Sequence, residues 1–286
     1  MPELPEVETI RRQLEKNIVG KTIKDIEILE KKQFIGKKEE VTGKKIDSIK
    51  RYGKVLSIKL IQPIKLIKPI YLNIHLKLTG QLLYAPNLKN PVFSEIIPFT
   101  KTNKMPANTT RVIIKFTDGS GLFFNDLRKF GWIKVNHKPE IPKGIDVLSK
   151  EFTVNYLTVL IKNSNKPIKT LLMDQDKITG IGNIYANDAL FLAKIHPKKK
   201  AKNLKEEEIK LLYQSIKKVI EQGIKHGGSS GADEAFVQIN GTKGKHQRFF
   251  LVYQRENQPC PLCKTSIKRI KQNGRSSFYC PKCQKI

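Results

Sequence analysis

The sequence predicts an α+β protein, with an N-terminal antiparallel β-sandwich domain flanked by helices and a C-terminal helical domain ending in a four-cysteine β-hairpin. Three observations carry this expectation. Apolar and polar residues alternate up to about Val135, apolar residues recur at helical spacing from about 150 to 226, and all four cysteines fall in two Cys-x-x-Cys pairs near the C-terminus. The expected boundaries are a sandwich over 1–137, a linker over 138–150, a helical domain over 151–236 and a small cysteine module over 237–286.

The first element is a helix with Val7, Ile10, Leu14 and Ile18 on one face, Pro5 near its first turn, and Glu6 and Glu8 toward the positive end of its dipole. In the strand region Leu72, Ile74, Leu76 and Leu78 alternate with Asn73, His75, Lys77 and Thr79, which places Leu78 in the core-facing register. Arg111 to Phe116 turns at Asp118-Gly119 into Leu122-Phe123-Phe124. The stretch 138–144, with two prolines and a glycine, reads as the linker. Phe152 to Asp174 and Leu204 to His226 then show helical periods, the second with a stripe of Ile209, Leu212, Ile216, Val219 and Ile220 stopped by Gly227-Gly228.

Two loops carry possible chemistry. Gly180-Ile181-Gly182-Asn183 precedes a new helix, and such a turn can offer bare backbone N–H groups and an amide to a phosphate; a plain interhelical turn fits equally. The stretch 125–132 follows a strand, and its Arg128 and Phe130 suit the gap left by an expelled base, although Phe130 taken alone reads as core.

Cys260, Cys263, Cys280 and Cys283 have the spacing of a tetrahedral zinc site, with 16 residues between the pairs. Four thiolates leave no open coordination position, so one structural Zn ion is expected, holding a zinc-finger β-hairpin through Ile267, Ile270 and Phe278 with Asn273-Gly274 at its tip. Lys264, Lys268, Arg269, Lys271 and Arg275 make that finger cationic.

The net charge is +28, from 54 Lys plus Arg against 26 Asp plus Glu, which favours a polyanionic partner. Only nine of the 54 are Arg, so Arg positions are the more informative. The acidic, turn-rich start is unlike a signal peptide, and the apolar stretch 55–83 is broken by Lys59, Lys65, Lys68, His75 and Lys77, so a cytoplasmic chain with no membrane association is expected.

The start, Met1-Pro2-Glu3-Leu4-Pro5-Glu6, admits a catalytic reading beside its role as a helix start. Removal of Met1 leaves Pro2 with a free secondary amine. An α-amino group titrates near ~7.7–8.0 and a lysine near ~10.4, so far more of the former is a neutral nucleophile at physiological pH. Attack on a sugar C1′ by a secondary amine yields an iminium that acidifies the C2′ proton, and Glu3 is tethered where it can move protons.

PELPEVET, RYGK ending at Lys54, HLKLTG from His75, NDLRKFGW, DQ…GIGNIYAND, QPCPLC and GRSSFYCPKC occur in the order and spacing of bacterial formamidopyrimidine-DNA glycosylase, and the chain resembles that family along essentially its whole length. The resemblance implies a bifunctional glycosylase and abasic-site lyase. Such an enzyme removes oxidised purines such as 8-oxoguanine and formamidopyrimidines from double-stranded DNA, then nicks the strand by β,δ-elimination. It further implies Pro2 as the Schiff-base nucleophile, Glu3 as general acid/base and Glu6 as a hydrogen-bonding member of the site. Lys54, His75, Asn183 and Arg275 become phosphate contacts, Asn183 in the family's helix–two-turns–helix element; Leu78, Arg128 and Phe130 become the residues at the duplex gap. A monomer is expected.

The sequence departs from the family at Leu78, where methionine is usual, and at Leu127, where proline is common; residues 227–247 match the base-capping loop only loosely. Two alternatives stand beside this. An endonuclease VIII-like enzyme for oxidised pyrimidines shares the architecture, but that branch tends to carry glycine where Leu4 stands. A non-catalytic zinc-ribbon DNA-binding protein needs only the charge and the cysteines, and Pro2 with Glu3 speaks against it.

Overall fold

The computed structural model describes residues 2–62, 68–231 and 236–286. Met1, Lys65 in the stretch 55–83, and 232–235 in the loop 227–247 lie outside the described residues. The chain divides into two compact units, Met1–Ile141 with His226–Gln247, and Pro142–Lys225 with Arg248–Ile286. The segment 226–247, expected to be shared between the helical domain and the zinc-finger module, therefore packs in the first unit.

In the first unit, α1 (Leu4–Ile18) is followed by β1 (Ile23–Ile28), β2 (Phe34–Ile35), β3 (Lys45–Tyr52), β4 (Val55–Ile61), β5 (Ile70–His75), β6 (Gly80–Ala85), β7 (Thr110–Phe116), β8 (Gly121–Asp126) and β9 (Trp132–Asn136). They form a four-stranded sheet, β1-β7-β8-β6, and a five-stranded sheet, β2-β9-β5-β4-β3. Pairing is antiparallel except for the two-residue contact of β2 with β9, which is parallel. Val7, Ile10, Leu14 and Ile18 of α1 join Ile49, Leu56, Leu72 and Ile74 of one sheet and Leu82, Ile114 and Phe124 of the other in a single core. Burying this stripe at ~25 cal/mol per Å2 is what holds α1 in place, since its isolated propensity is marginal.

Two features differ from simple alternation. The outer face of β6–β8 is also buried, because Phe93, Ile97 and Met105 of the excursion between β6 and β7 cover Leu83, Ile113 and Phe123. That second layer explains the unbroken Leu122-Phe123-Phe124 run. Asn73, on the non-core side of β5, is fully buried because its Nδ2 donates to the Lys138 carbonyl (3.2 Å) and its Oδ1 accepts from the Glu140 N–H (3.0 Å), so the start of the expected linker is packed onto the sheet.

The second unit contains β10 (Ile145–Asp146), α2 (Val154–Lys162), α3 (Ile168–Leu172), β11 (Ile178–Thr179), α4 (Asn183–Leu192), α5 (Glu206–Lys225), β12 (Lys268–Gln272) and β13 (Arg275–Tyr279). The helical reading of 152–174 is thus split into two short helices around Pro167. Helix α5 buries Ile209, Leu212, Ile216, Val219 and Ile220 and ends at Gly227 and Gly228, with φ of +70° and +78°. Among the described residues no helix is long and apolar enough to cross a membrane.

Candidate active site and nucleic-acid interface

The first unit begins with a reciprocal cap. Glu3 is the N-cap of α1; its side chain accepts from the N–H of Glu6, and the Glu6 Oε2 accepts from the Glu3 N–H at 2.8 Å. The other Glu6 oxygen, Oε1, accepts from the Ser229 N–H at 2.8 Å. Glu6 is fully buried and so ties the chain start to the segment 226–247. Gly228 permits this approach, because a Cβ there would meet Phe236 at 2.7 Å and the Glu6 Cγ at 3.0 Å. Pro2 and Glu3 are buried beside the cap, with the Glu3 carboxylate at the positive end of the helix.

Lys54 occupies the β3–β4 hairpin, held from beneath by Arg51. The Arg51 Nε donates to Glu8 Oε2 (3.0 Å) and its Nη1 to the Gly53 carbonyl (2.8 Å). Burial alone would raise the Glu8 carboxyl, but Arg11, Arg12 and Arg51 around it hold it below the usual carboxylate range. Val55 pairs directly with His75 across the sheet. The His75 imidazole is pushed down to about 3 by burial and by the charges of Lys77, Lys54 and Lys134. Its Nδ1 accepts from the Lys77 N–H at 2.9 Å, which fixes the neutral tautomer with its proton on Nε2. His75 is therefore a neutral donor on a strand end, its ring centre 5.6 Å from that of Trp132.

Leu78 does not continue the strand. β5 ends at His75, Lys77 takes a φ of +52°, and Leu78 sits half-buried in the turn that follows. The core-facing register read from alternation thus stops at Leu76. Phe130 is likewise outside the core, 53% exposed, with Leu127 at 45% and the Arg128 guanidinium 5.0 Å from the Phe130 ring centre.

In the second unit Asn183 is the first residue of α4, after Gly182 as N-cap. The preceding turn is closed by Gln175, whose amide donates to the Ile181 carbonyl (2.7 Å) and accepts from the Gly180 N–H (3.1 Å). Asn187, one turn on, donates to the Asn183 carbonyl (2.6 Å) and accepts from the Phe278 N–H (2.8 Å), which fastens α4 to β13. Arg275 opens β13 on the exposed side, after a tip in which Asn273 and Gly274 have φ of +47° and +74°. From below, Lys169 donates to the Ser276 carbonyl (2.7 Å) and the Ser277 hydroxyl (2.8 Å).

The four cysteine sulfurs lie within 4.8 Å of one another. Cys260 and Cys283 are 3.9 Å apart and Cys263 and Cys280 3.4 Å, bracketing the about 3.8 Å edge of a tetrahedron with 2.3 Å Zn–S bonds. All four are free thiols, so the cluster fits one structural zinc ion and leaves it no vacant position. Sequence reasoning missed Asp188, fully buried in α4, whose carboxylate accepts the N–H groups of Leu251, Val252 and Tyr253 at 3.0, 3.0 and 3.1 Å and so anchors the segment leading into the finger.

Comparison with known proteins covers both units. Residues 1–133 match the formamidopyrimidine-DNA glycosylase N-terminal domain, 144–234 its H2TH domain, and 257–286 the zinc finger found in FPG and IleRS. The formamidopyrimidine-DNA glycosylase of Pelotomaculum thermopropionicum is 38% identical over 298 residues, covering all of both chains. The structure of MutM (Fpg) from Thermus thermophilus superposes with a TM-score of 0.84 at 31% identity, covering 99% of this chain and 98% of that one. Lactococcus lactis Fpg, solved with DNA containing an abasic site, gives 0.83 at 32% identity over the whole of both chains; the same protein is also solved with DNA containing Fapy-dG and with DNA containing an oxidised pyrimidine. With each structural part of the chain matched in order and a full-length relative above a third identical, the chain belongs to the formamidopyrimidine-DNA glycosylase family.

Proposed function

We propose that this DNA glycosylase of base-excision repair excises oxidised purines with the Pro2 amine and then cuts the strand itself, acting as a monomer in the cytoplasm. The observation that supports this most is the cap at the chain start, which holds the Glu3 carboxylate on the helix end next to Pro2. With Met1 removed, the Pro2 nitrogen attacks C1′, the C1′–N bond breaks, and the base leaves with the proton that the Pro2 amine gives up. Glu3 protonates the opening sugar oxygen, and the iminium forms between Pro2 and C1′. Loss of the C2′ proton expels the 3′ phosphate, and a second elimination expels the 5′ phosphate. Glu6 keeps the cap closed. The zinc ion shapes the finger and takes no part in these steps.

Lys54 and Arg275 neutralise phosphates of the extruded nucleotide, while His75 and Asn183 hydrogen-bond them; Leu78, Arg128 and Phe130 fill the gap. Charge and hydrogen bonding separate by salt. Lys54→Ala should lower the slope of log affinity against log salt by about one, whereas His75→Gln should leave it unchanged while weakening binding, because the imidazole is uncharged. Fluorescence titrations at several salt concentrations measure both. A slope change of equal size in His75→Gln would mean that His75 binds as a cation.

The activity itself is tested with duplexes carrying 8-oxoguanine, thymine glycol or an abasic site, with products resolved by end group. Cleavage of the 8-oxoguanine and abasic duplexes to phosphate at both ends is expected. The complex of the Lactococcus lactis relative with DNA containing an oxidised pyrimidine supports binding of the thymine glycol duplex as well. Thymine glycol as the preferred substrate would support the endonuclease VIII-like alternative, and binding without cleavage the zinc-ribbon one.

A further inference from the structure

Both tips proposed for the duplex gap rest on one buried carboxylate. Asp126, the last residue of β8, is fully buried, and its backbone is fixed by its N–H to the Thr109 carbonyl (2.8 Å) and by Arg111 Nε on its own carbonyl (2.9 Å). Its Oδ1 accepts from the Thr79 hydroxyl and from the Arg128 N–H (3.2 Å). Its Oδ2 accepts from the Gly131 N–H (2.7 Å) and from Gln33 Nε2 (2.9 Å). The Arg128 N–H is shared with the Thr79 hydroxyl oxygen (3.0 Å), and Gln33 also reaches the Gly131 carbonyl (3.0 Å). Four donors from three separate segments thus converge on one side chain.

Those segments are the turn that carries Leu78, the loop that carries Arg128 and Phe130, and the short helical turn Lys31–Gln33. The loop is further held by Lys129, whose φ of +56° is a left-handed conformation and whose Nζ meets Glu30 at 2.5 Å. Gly131 has no room for a side chain, since a Cβ would lie 3.1 Å from Asp126 Oδ2 and 3.0 Å from the His75 carbonyl. The half-buried Leu78 and the exposed Phe130 therefore stand on a base with little freedom to recede.

We infer that Asp126 is a positioning residue for base extrusion: without touching DNA, it locks the Leu78 turn and the Arg128–Phe130 loop into one rigid wedge. This rests on the wedge role proposed above for those side chains. Opening the stack costs a few kcal/mol, and a tip that yields under that load delivers no work to the duplex. A charge-assisted hydrogen bond is the appropriate fastener because it is short and about twice as strong as a neutral one.

The test uses the ratio of activity on a paired lesion in a duplex to nicking of a pre-formed abasic site in a single strand, which needs no extrusion. Thr79→Val keeps the shape but removes the donor to Asp126 and the acceptor for Arg128 N–H; the ratio should fall about tenfold, the scale of one hydrogen bond to a charged group. Thr79→Ser, which restores the hydroxyl, should return the wild-type ratio. Asp126→Asn should lower the ratio further, because its amide turns a donor toward donors, and Trp132, the one tryptophan of the chain, reports by fluorescence whether the adjacent loop remains ordered. Phe130→Ala separates the two ideas. If it lowers the ratio and Thr79→Val does not, Asp126 is merely structural; if Phe130→Ala leaves the ratio unmoved, the wedge role fails and this inference with it.

Discussion

Protein that retains Met1 should form no borohydride-trapped adduct with abasic-site DNA and should process neither 8-oxoguanine nor a pre-formed abasic site. The peptide bond to Met1 turns the Pro2 nitrogen into an amide without a usable lone pair. With Met1 removed, roughly a quarter of an α-amine is neutral at pH 7.4, against about a thousandth of a lysine, so no lysine substitutes efficiently. Glu3→Gln should separate the steps. Glutamine keeps a side-chain acceptor for the Glu6 N–H, so α1 keeps its start and the loss is chemical. Base excision should fall by about 10^2 to 10^4, the range of a lost general acid, while trapping of a pre-formed abasic aldehyde survives because that step needs only the neutral amine. Peptide mapping of the adduct decides the matter: attachment to an internal lysine, or undiminished trapping with Met1 in place, would falsify the N-terminal mechanism.

What was legible in the sequence had local causes. The α1 stripe, the Asp118-Gly119 turn, the Asn273-Gly274 tip and the cysteine tetrad each depend on residues close in sequence or on a recognised spacing, and each forms where expected. What was not legible depends on distant partners. Glu6 meets Ser229 across 223 positions, which draws 226–247 into the first unit, and no periodicity in that glycine-rich segment announces it. Leu78 is a local exception: it leaves its register because Lys77 adopts a left-handed turn, which alternation does not show, although the family resemblance already set Leu78 at the duplex gap. Asp126 and Asp188 did carry a signal of a kind: each is an acid beside long apolar runs, and a buried carboxylate must find donors. The sequence shows that such a residue needs partners, but only the fold shows that they are the two gap-facing turns in one case and the approach to the finger in the other.

Cys260→Ser, or removal of zinc from the wild-type protein by a chelator, should collapse the β12–β13 hairpin and weaken DNA binding by at least about tenfold while sparing the reaction at Pro2. The module's own buried cluster is small, Phe191, Val252, Ile267 and Phe278 around Cys260 and Cys280 themselves, and its other ties include hydrogen bonds to Lys169, Thr170, Asn187 and Ile195. Structural zinc supplies about 10–16 kcal/mol in comparable fingers, more than the hydrogen bonds to Lys169, Thr170, Asn187 and Ile195 supply at about 1 kcal/mol each. Without the hairpin, Arg275 loses its place on β13, and the cations Lys268, Arg269 and Lys271 cease to be held together on one strand. Pro2, Glu3 and Glu6 lie in the other compact unit, whose core does not include the finger. The expected pattern is therefore a raised KM on duplex substrate, a salt slope reduced by about one for each phosphate no longer neutralised, and borohydride trapping that recovers at high DNA concentration. Zinc release followed by a metal-sensitive dye, alongside DNA titrations, measures both halves. Full metal content and wild-type affinity in Cys260→Ser would remove the structural role assigned to the tetrad, and trapping lost even at saturating DNA would mean that the finger acts on the chemistry as well as on binding.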